Sequence, residues 1–142
     1  MATYVKHEQF VEDLANKVHD LSADTLTIAL TTAANPPVAG NSILGDLSSG
    51  EITPYTNLSA RAITITSSTE TSGVLKLILV DLVLTASGAV ATFRWVDLYN
   101  DTPSSPLNPL ISFWDYGSNV TLANTETFTI DFSASNGVLT IT

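Results

Sequence analysis

Apolar residues near the N-terminus recur every three or four positions, which is the spacing of a helix with one buried face. No glycine or proline interrupts the segment, and acidic residues lie toward its first half, where they suit the helix dipole. The pattern predicts one helix over about residues 4–21. Its apolar stripe is formed by Phe10, Val11, Leu14, Val18 and Leu21.

From residue 25 onward the apolar period changes to two, the period of a half-buried strand. The alternation predicts seven strands, or eight if a short strand forms around 42–47. Residues 74–85 are apolar at most positions, so we expect this strand to be buried on both faces. Asn136-Gly137 predicts a hairpin between the last two strands, because both residues tolerate positive φ. The seven strands lie at 25–31, 62–66, 74–85, 91–99, 110–116, 125–132 and 138–142.

Together these elements predict a single, mainly β domain over residues 1–142: an N-terminal helix followed by an antiparallel, jelly-roll-like β-sandwich. Residues 32–60 form a long, loop-rich segment after the first strand. An excursion of that length is usually functional or bound to a partner. The helix, this segment and a proline-rich loop at 100–108 are the three candidates for a partner contact.

The stretch 91–117 holds both tryptophans and six of the eleven aromatic residues, on two predicted strands that flank the proline loop. Large aromatic side chains dominate both cores and interfaces, because each removes much surface from water. In the first of these strands Trp95 shares a face with Asp97, and Val96 takes the other face, which indicates a bulge or a strand apolar on both sides. Aromatic side chains on one side would fill the sandwich, and those on the other would meet a partner. The partner-binding candidates are Trp95, Tyr99, Pro103, Pro106, Trp114 and Tyr116.

The composition argues against nucleic-acid and membrane partners. The net charge is −9, and the five basic residues are scattered, so the clustered positive charge that phosphates require is missing. An anionic membrane surface would repel the chain for the same reason. There is no cysteine, which excludes disulfides and thiolate metal sites. A mean hydropathy of +0.25 indicates either a large dry core or apolar surface buried against another chain.

Two histidines and two carboxylates are the first candidates for chemistry. His7 and His19 both fall on the predicted helix, at a spacing that puts them on different sides, so we expect surface histidines rather than a metal site. Asp97 and Asp115 flank the proline loop among aromatic residues, an arrangement that glycosidases use. The alternative is that each caps a strand end or pairs with Arg94 or a backbone amide. Any acidic chain offers such pairs, so we expect no catalytic residue.

The turn after the aromatic strand offers oxygen ligands for calcium. Asp97, Asn100 and Asp101 lie close together in sequence there. The EF-hand pattern is missing, however, and the same residues form a turn in which Asn and Asp satisfy their own backbone. We therefore expect no metal and no cofactor.

The order of several motifs resembles a family of tailed-bacteriophage virion proteins, similar to small β-sandwich capsid cement (decoration) proteins. The motifs are Q-F-V-E-D-L-A-x-K-V-H-x-L (9–21), D-T-L-T-I-A-L-T (24–31), P-V-A-G-N-S-I-L-G-D-L (37–47), T-S-G-V-L-K-L (71–77), L-Y-N-D-T-P-S-S-P-L-N-P-L-I (98–111) and W-D-Y-G-S-N-V-T-L (114–122).

The resemblance implies a structural protein on the capsid exterior that binds between subunits of the major capsid protein. It also implies a homo-oligomer, with a dimer favoured, that is made in the host cytoplasm without a signal peptide and has no enzymatic activity. A tail or head–tail connector component is the alternative within the structural class. A carbohydrate-binding module on the virion, using Trp95, Trp114 and Tyr116, is the alternative from a different class.

Overall fold

The computed structural model describes residues 2–142, and the chain is mainly β, with one short N-terminal helix and ten strands in antiparallel sheets. In chain order the elements are β1 (Thr3–Lys6), α1 (Gln9–Ala15), β2 (Leu26–Thr31), a 3₁₀-helix (Leu44–Leu47), β3 (Ala62–Ile63), β4 (Ile65–Thr71), β5 (Val74–Leu79), β6 (Leu82–Thr85), β7 (Phe93–Asn100), β8 (Leu110–Val120), β9 (Thr127–Ile130) and β10 (Leu139–Ile141).

The strands form three open sheets. The largest has the order β1-β8-β7-β2-β3, the second β10-β5-β4, and the third pairs β6 with β9. One hydrophobic cluster joins all three, because alternate residues of each sheet point into it. Ile28 of β2, Leu77 of β5 and Leu84 of β6 are all fully buried in this cluster. One face of the five-stranded sheet therefore packs against the other two sheets.

The helix predicted over about residues 4–21 is wrong in both bounds, because it covers only Gln9–Ala15. Residues 3–6 form β1 instead and pair with β8, an interaction that outweighs the local helical pattern. At the other end Lys17 has a φ of 62°, and the Val18 N–H donates to the Asp13 carbonyl oxygen at 2.8 Å. This is a Schellman-type end, which stops the helix before the apolar stripe runs out. Val11, predicted on the buried stripe, is 53% exposed.

The strand predicted over 74–85 is also wrong, because it is two strands in different sheets. β5 ends at Leu79 and β6 begins at Leu82. Val80 and Asp81 between them are exposed, and the Asp81 carboxylate accepts a hydrogen bond from the Phe132 N–H at 2.8 Å. Neither strand is buried along both faces, and Val83 is 51% exposed.

The predicted count of seven or eight strands is too low, because another predicted strand also divides between two sheets. The segment predicted at 62–66 divides between β3 and β4, which belong to different sheets. This division, the division of 74–85 and the unpredicted β1 account for the difference from the ten observed strands.

Residues 32–52 cover the second face of the five-stranded sheet. The Thr32 N–H donates to the Gly50 carbonyl oxygen at 2.9 Å, and the Ile52 N–H donates to the Leu30 carbonyl oxygen at 3.0 Å. The short strand considered at 42–47 is a 3₁₀-helix instead. A second hydrophobic cluster lies beneath this cover segment and consists of Ala29, Leu47, Tyr99 and Leu110, with Leu44 packed against it.

The hairpin predicted at Asn136-Gly137 does not join the last two strands, because β9 pairs with β6 and β10 pairs with β5. Gly137 does adopt a positive φ of 77°. A Cβ at this position would lie 2.7 Å from the Leu77 carbonyl oxygen, so the close approach of the two segments requires glycine.

Candidate functional site: an aromatic groove

A groove of about 650 Å³ opens between β1, β8 and β9 and is also lined by residues 131–133 and by Gly137 and Val138. Five aromatic side chains line it, and alternate residues of β8 point toward it. The aromatic side chains are Tyr4, Trp114, Tyr116, Phe128 and Phe132.

The rings pack edge to face in two groups. Trp114 lies 5.5 Å from Tyr4 and 6.2 Å from Phe132, measured between ring centroids, and Tyr116 lies 5.3 Å from Phe128. The first contact follows from the sheet register, which places Tyr4 of β1 opposite Trp114 of β8. Tyr4 remains 38% exposed and Tyr116 53% exposed, so the groove presents aromatic surface to a ligand or partner.

A second cavity of about 310 Å³ continues the groove between β1 and β10. The two cavities share Tyr4, Gly137 and Val138 in their linings. Among the described residues that line them, Asp131 is the only charged residue of the larger cavity and Lys6 the only one of the smaller. The combined surface is therefore aromatic and nearly uncharged.

The structure distributes the six partner-binding candidates over three places. Trp114 and Tyr116 line the groove. Trp95 and Tyr99 lie on the other face of the sheet, where Tyr99 is only 4% exposed under the cover segment. Trp95 is half-buried, and its ring centroid lies 5.9 Å from that of Phe113.

The proline loop forms the third place. Pro103 and Pro106 are half-buried in the connection between β7 and β8, whereas Leu107 beside them is 61% exposed. The loop is anchored by the Leu44 N–H, which donates to the Asn108 carbonyl oxygen at 2.9 Å. The loop therefore exposes one apolar side chain, Leu107, next to a hydrogen-bonded backbone.

The two carboxylates considered for glycoside chemistry both accept hydrogen bonds from other side chains. Asp97 is fully buried and accepts a hydrogen bond from the Thr31 hydroxyl at 3.1 Å. Burial raises the pKa of Asp97 to about 8, and the charge of Glu51 acts in the same direction. Asp115 accepts two hydrogen bonds from Arg94, each 2.7 Å long, which lower its pKa. Neither carboxylate faces the groove, whose lining contains neither residue.

The three side chains considered as calcium ligands have different surroundings and different hydrogen-bond partners. The Asn100 Nδ2 donates to Asp24 Oδ2 at 2.6 Å, and the Asn100 Oδ1 accepts from the Thr102 N–H at 3.1 Å. Asp97 is buried under the cover segment, and Asp101 is exposed. Within residues 2–142 no group of three or more His, Cys, Asp or Glu side chains is placed to hold a metal ion.

The expectation of surface histidines is wrong, because both are buried. His7 is 0% exposed, with its ring centroid 5.0 Å from that of Phe113, and burial lowers its pKa to about 4. His19 packs against Phe10 and is 6% exposed, and burial lowers its pKa as well. Both lie outside α1, where the predicted helical periodicity does not apply.

Three aromatic residues of the groove are absent from the predicted set of partner-binding residues: Tyr4, Phe128 and Phe132. The alternation of Phe128 and Phe132 does indicate inward-facing positions in a strand. No local signal places Tyr4 beside Trp114, because that contact depends on the pairing of β1 with β8.

No protein-family model, curated protein or solved structure matches this chain. The part of the chain that the structure describes contains no helix with the length and apolar character needed to cross a membrane.

Proposed function

We propose that this chain is a structural protein of a bacteriophage particle, a capsid cement protein that binds between subunits of the major capsid protein from outside. The observation that carries the proposal is the aromatic groove with its nearly uncharged lining. Cores of protein–protein interfaces are depleted in charge and enriched in tyrosine, tryptophan and phenylalanine. The motif order that resembles phage virion proteins supplies the identity of the partner.

The proposal includes the finer architecture of a jelly-roll-like β-sandwich and self-association as a dimer. The single cluster shared by all three sheets supports a two-layered arrangement. Light scattering at micromolar concentration tests the dimer, since a monomer mass contradicts it.

Capsid binding provides the functional test. Purified protein is mixed with expanded empty capsids of the phage that encodes it, and co-sedimentation is measured. Tyr116→Ser removes an exposed groove ring and should weaken binding at least about tenfold, because aromatic anchors carry much of the energy of an interface. Val83→Ser, at a residue of similar exposure outside the groove lining, is the matched control. Failure of the wild-type protein to bind capsids contradicts the proposal.

Carbohydrate binding is the second candidate, because Trp114 and Tyr116 present two rings in one groove beside Asp131. Aromatic faces stack on sugars, and a neighbouring carboxylate accepts hydrogen bonds from hydroxyl groups. Trp95, the third residue of the predicted carbohydrate-binding set, lies on the other face of the sheet, against Phe113. Glycan-array binding that Tyr116→Ser abolishes would favour this function over cement.

A further inference from the structure

The smaller cavity, which continues the groove, lies between two strands that each lack a neighbour on one side. β1 pairs only with β8, and β10 pairs only with β5. Both strands line the cavity of about 310 Å³, and no backbone hydrogen bond joins them in residues 2–142. The outer side of an edge strand carries a row of N–H and C=O groups without strand partners. We call this gap between β1 and β10, together with the aromatic groove, the seam.

The seam offers side-chain sites as well as backbone groups. The rings of Tyr4 and Trp114 line its larger cavity, and Gly137 and Val138 border both of its cavities. Successive side chains of an extended segment point to opposite faces, so every second side chain would reach these rings. Main-chain hydrogen bonds with pockets for alternate side chains are the recognition mode of strand addition.

The two charged residues of the seam indicate which kind of segment would bind there. Asp131 and Lys6 are exposed, and they lie in the unshared parts of the two cavities. The only ion pair within residues 2–142 joins Arg94 and Asp115, so neither seam charge is paired there. A segment with a basic residue near Asp131, an acidic residue near Lys6 and uncharged residues between them complements this lining.

We propose that the seam receives an extended segment of the capsid partner, which adds as a strand along the free edges of β1 and β10. This inference rests on the proposed cement function and specifies how the partner is held. A segment of about five residues has the usual length of a strand. Its ends carry opposite charges, with the basic residue toward Asp131 and the acidic residue toward Lys6.

A unique thiol gives a direct test, because the chain contains no cysteine. Ser118 is exposed and lines the groove, so Ser118→Cys labelled with a bulky maleimide should block the seam. Ser48→Cys, exposed and outside both linings, carries the same label as the control. Labelling at 118 should weaken capsid binding at least about tenfold relative to the unlabelled variant, and labelling at 48 should leave it unchanged.

Hydrogen exchange gives a second readout that does not depend on a substitution. Amides that gain a strand partner are protected from exchange, because they must open before they exchange. The amides of β1 and β10 should therefore exchange at least about tenfold more slowly in the capsid complex, with the edge strands β3 and β4 unaffected.

Three results would overturn the inference, and they are distinguishable. If the labelled Ser118→Cys variant binds capsids fully and exchange in β1 and β10 is unchanged, the cement function is retained but the seam is not the binding site. Absence of capsid binding by the wild-type protein removes the function and this inference together. A dimer in solution that labelling at 118 dissociates assigns the seam to a second copy of the chain instead.

Discussion

Replacing Asp97 by asparagine should stabilise the protein at neutral pH. The Asp97 side chain is fully buried beneath the cover segment, and its one hydrogen bond comes from the Thr31 hydroxyl. Asparagine has nearly the same shape, and its side-chain oxygen can accept the same hydrogen bond. The substitution therefore removes an ionisable group and keeps the packing.

The magnitude follows from the pKa of Asp97 in the two states. Its ordinary value of 3.8 applies to the unfolded chain, and burial, with a contribution from the Glu51 charge, raises the pKa to about 8 in the folded state. Between these pH values the folded state retains a proton that the unfolded state has released, so stability falls as the pH rises. One pH unit corresponds to about 1.4 kcal/mol, which gives a penalty of about 4 kcal/mol at pH 7 as an upper value.

Urea unfolding at pH 5, 7 and 8 measures the effect. The free energy of unfolding of the wild-type protein should fall between pH 5 and 8, whereas that of Asp97→Asn should fall less. Asp101→Asn, which changes an exposed carboxylate, is the control. The reasoning is refuted if the wild-type protein and Asp97→Asn show the same pH dependence, or if Asp97→Asn is destabilised equally at all three pH values.

Three further substitutions test other parts of the structure. Burial lowers the pKa of His7 to about 4 from 6.5, so the stability of the wild-type protein should fall below pH 6.5 by up to about 3 kcal/mol, and His7→Leu should flatten this acid limb in urea unfolding. Asn100→Ala should lower the free energy of unfolding by about 3 kcal/mol, because it removes a fully buried amide and leaves its hydrogen-bonding partners unpaired. A loss below about 1 kcal/mol in the same assay would contradict this. Arg94→Ala should lower the stability only slightly and lose its effect at high salt, since the Arg94–Asp115 pair is partly exposed; a large, salt-insensitive loss in urea unfolding would count against this.

Two strands of the central sheet, β2 and β7, are predictable because runs of β-branched and apolar residues favour strands. The half-burial expected for the first of them is wrong, because all six residues of β2 are buried. The prediction of 25–31 differs by one residue at one end from the observed Leu26–Thr31, and that of 91–99 is close to Phe93–Asn100. The segment 25–31 alternates threonine with apolar residues, which is a period of two.

The elements that the sequence does not predict depend on distant partners. Residues 3–6 carry no clear alternation, and their strand state follows from pairing with β8. The division of 74–85 at Asp81 reflects a change of sheet, which a continuous apolar run conceals. The groove is hidden for the same reason, because Tyr4, Trp114 and Phe132 come together only after distant parts of the chain have assembled.

The location of the chain in a cryo-EM map of the phage particle tests the cement proposal most directly. The account predicts density for the domain on the outer surface of the shell, repeated with the symmetry of the capsid and bridging neighbouring capsid subunits. A ring of copies confined to one vertex, or density along the tail, would contradict it in favour of a connector or tail component.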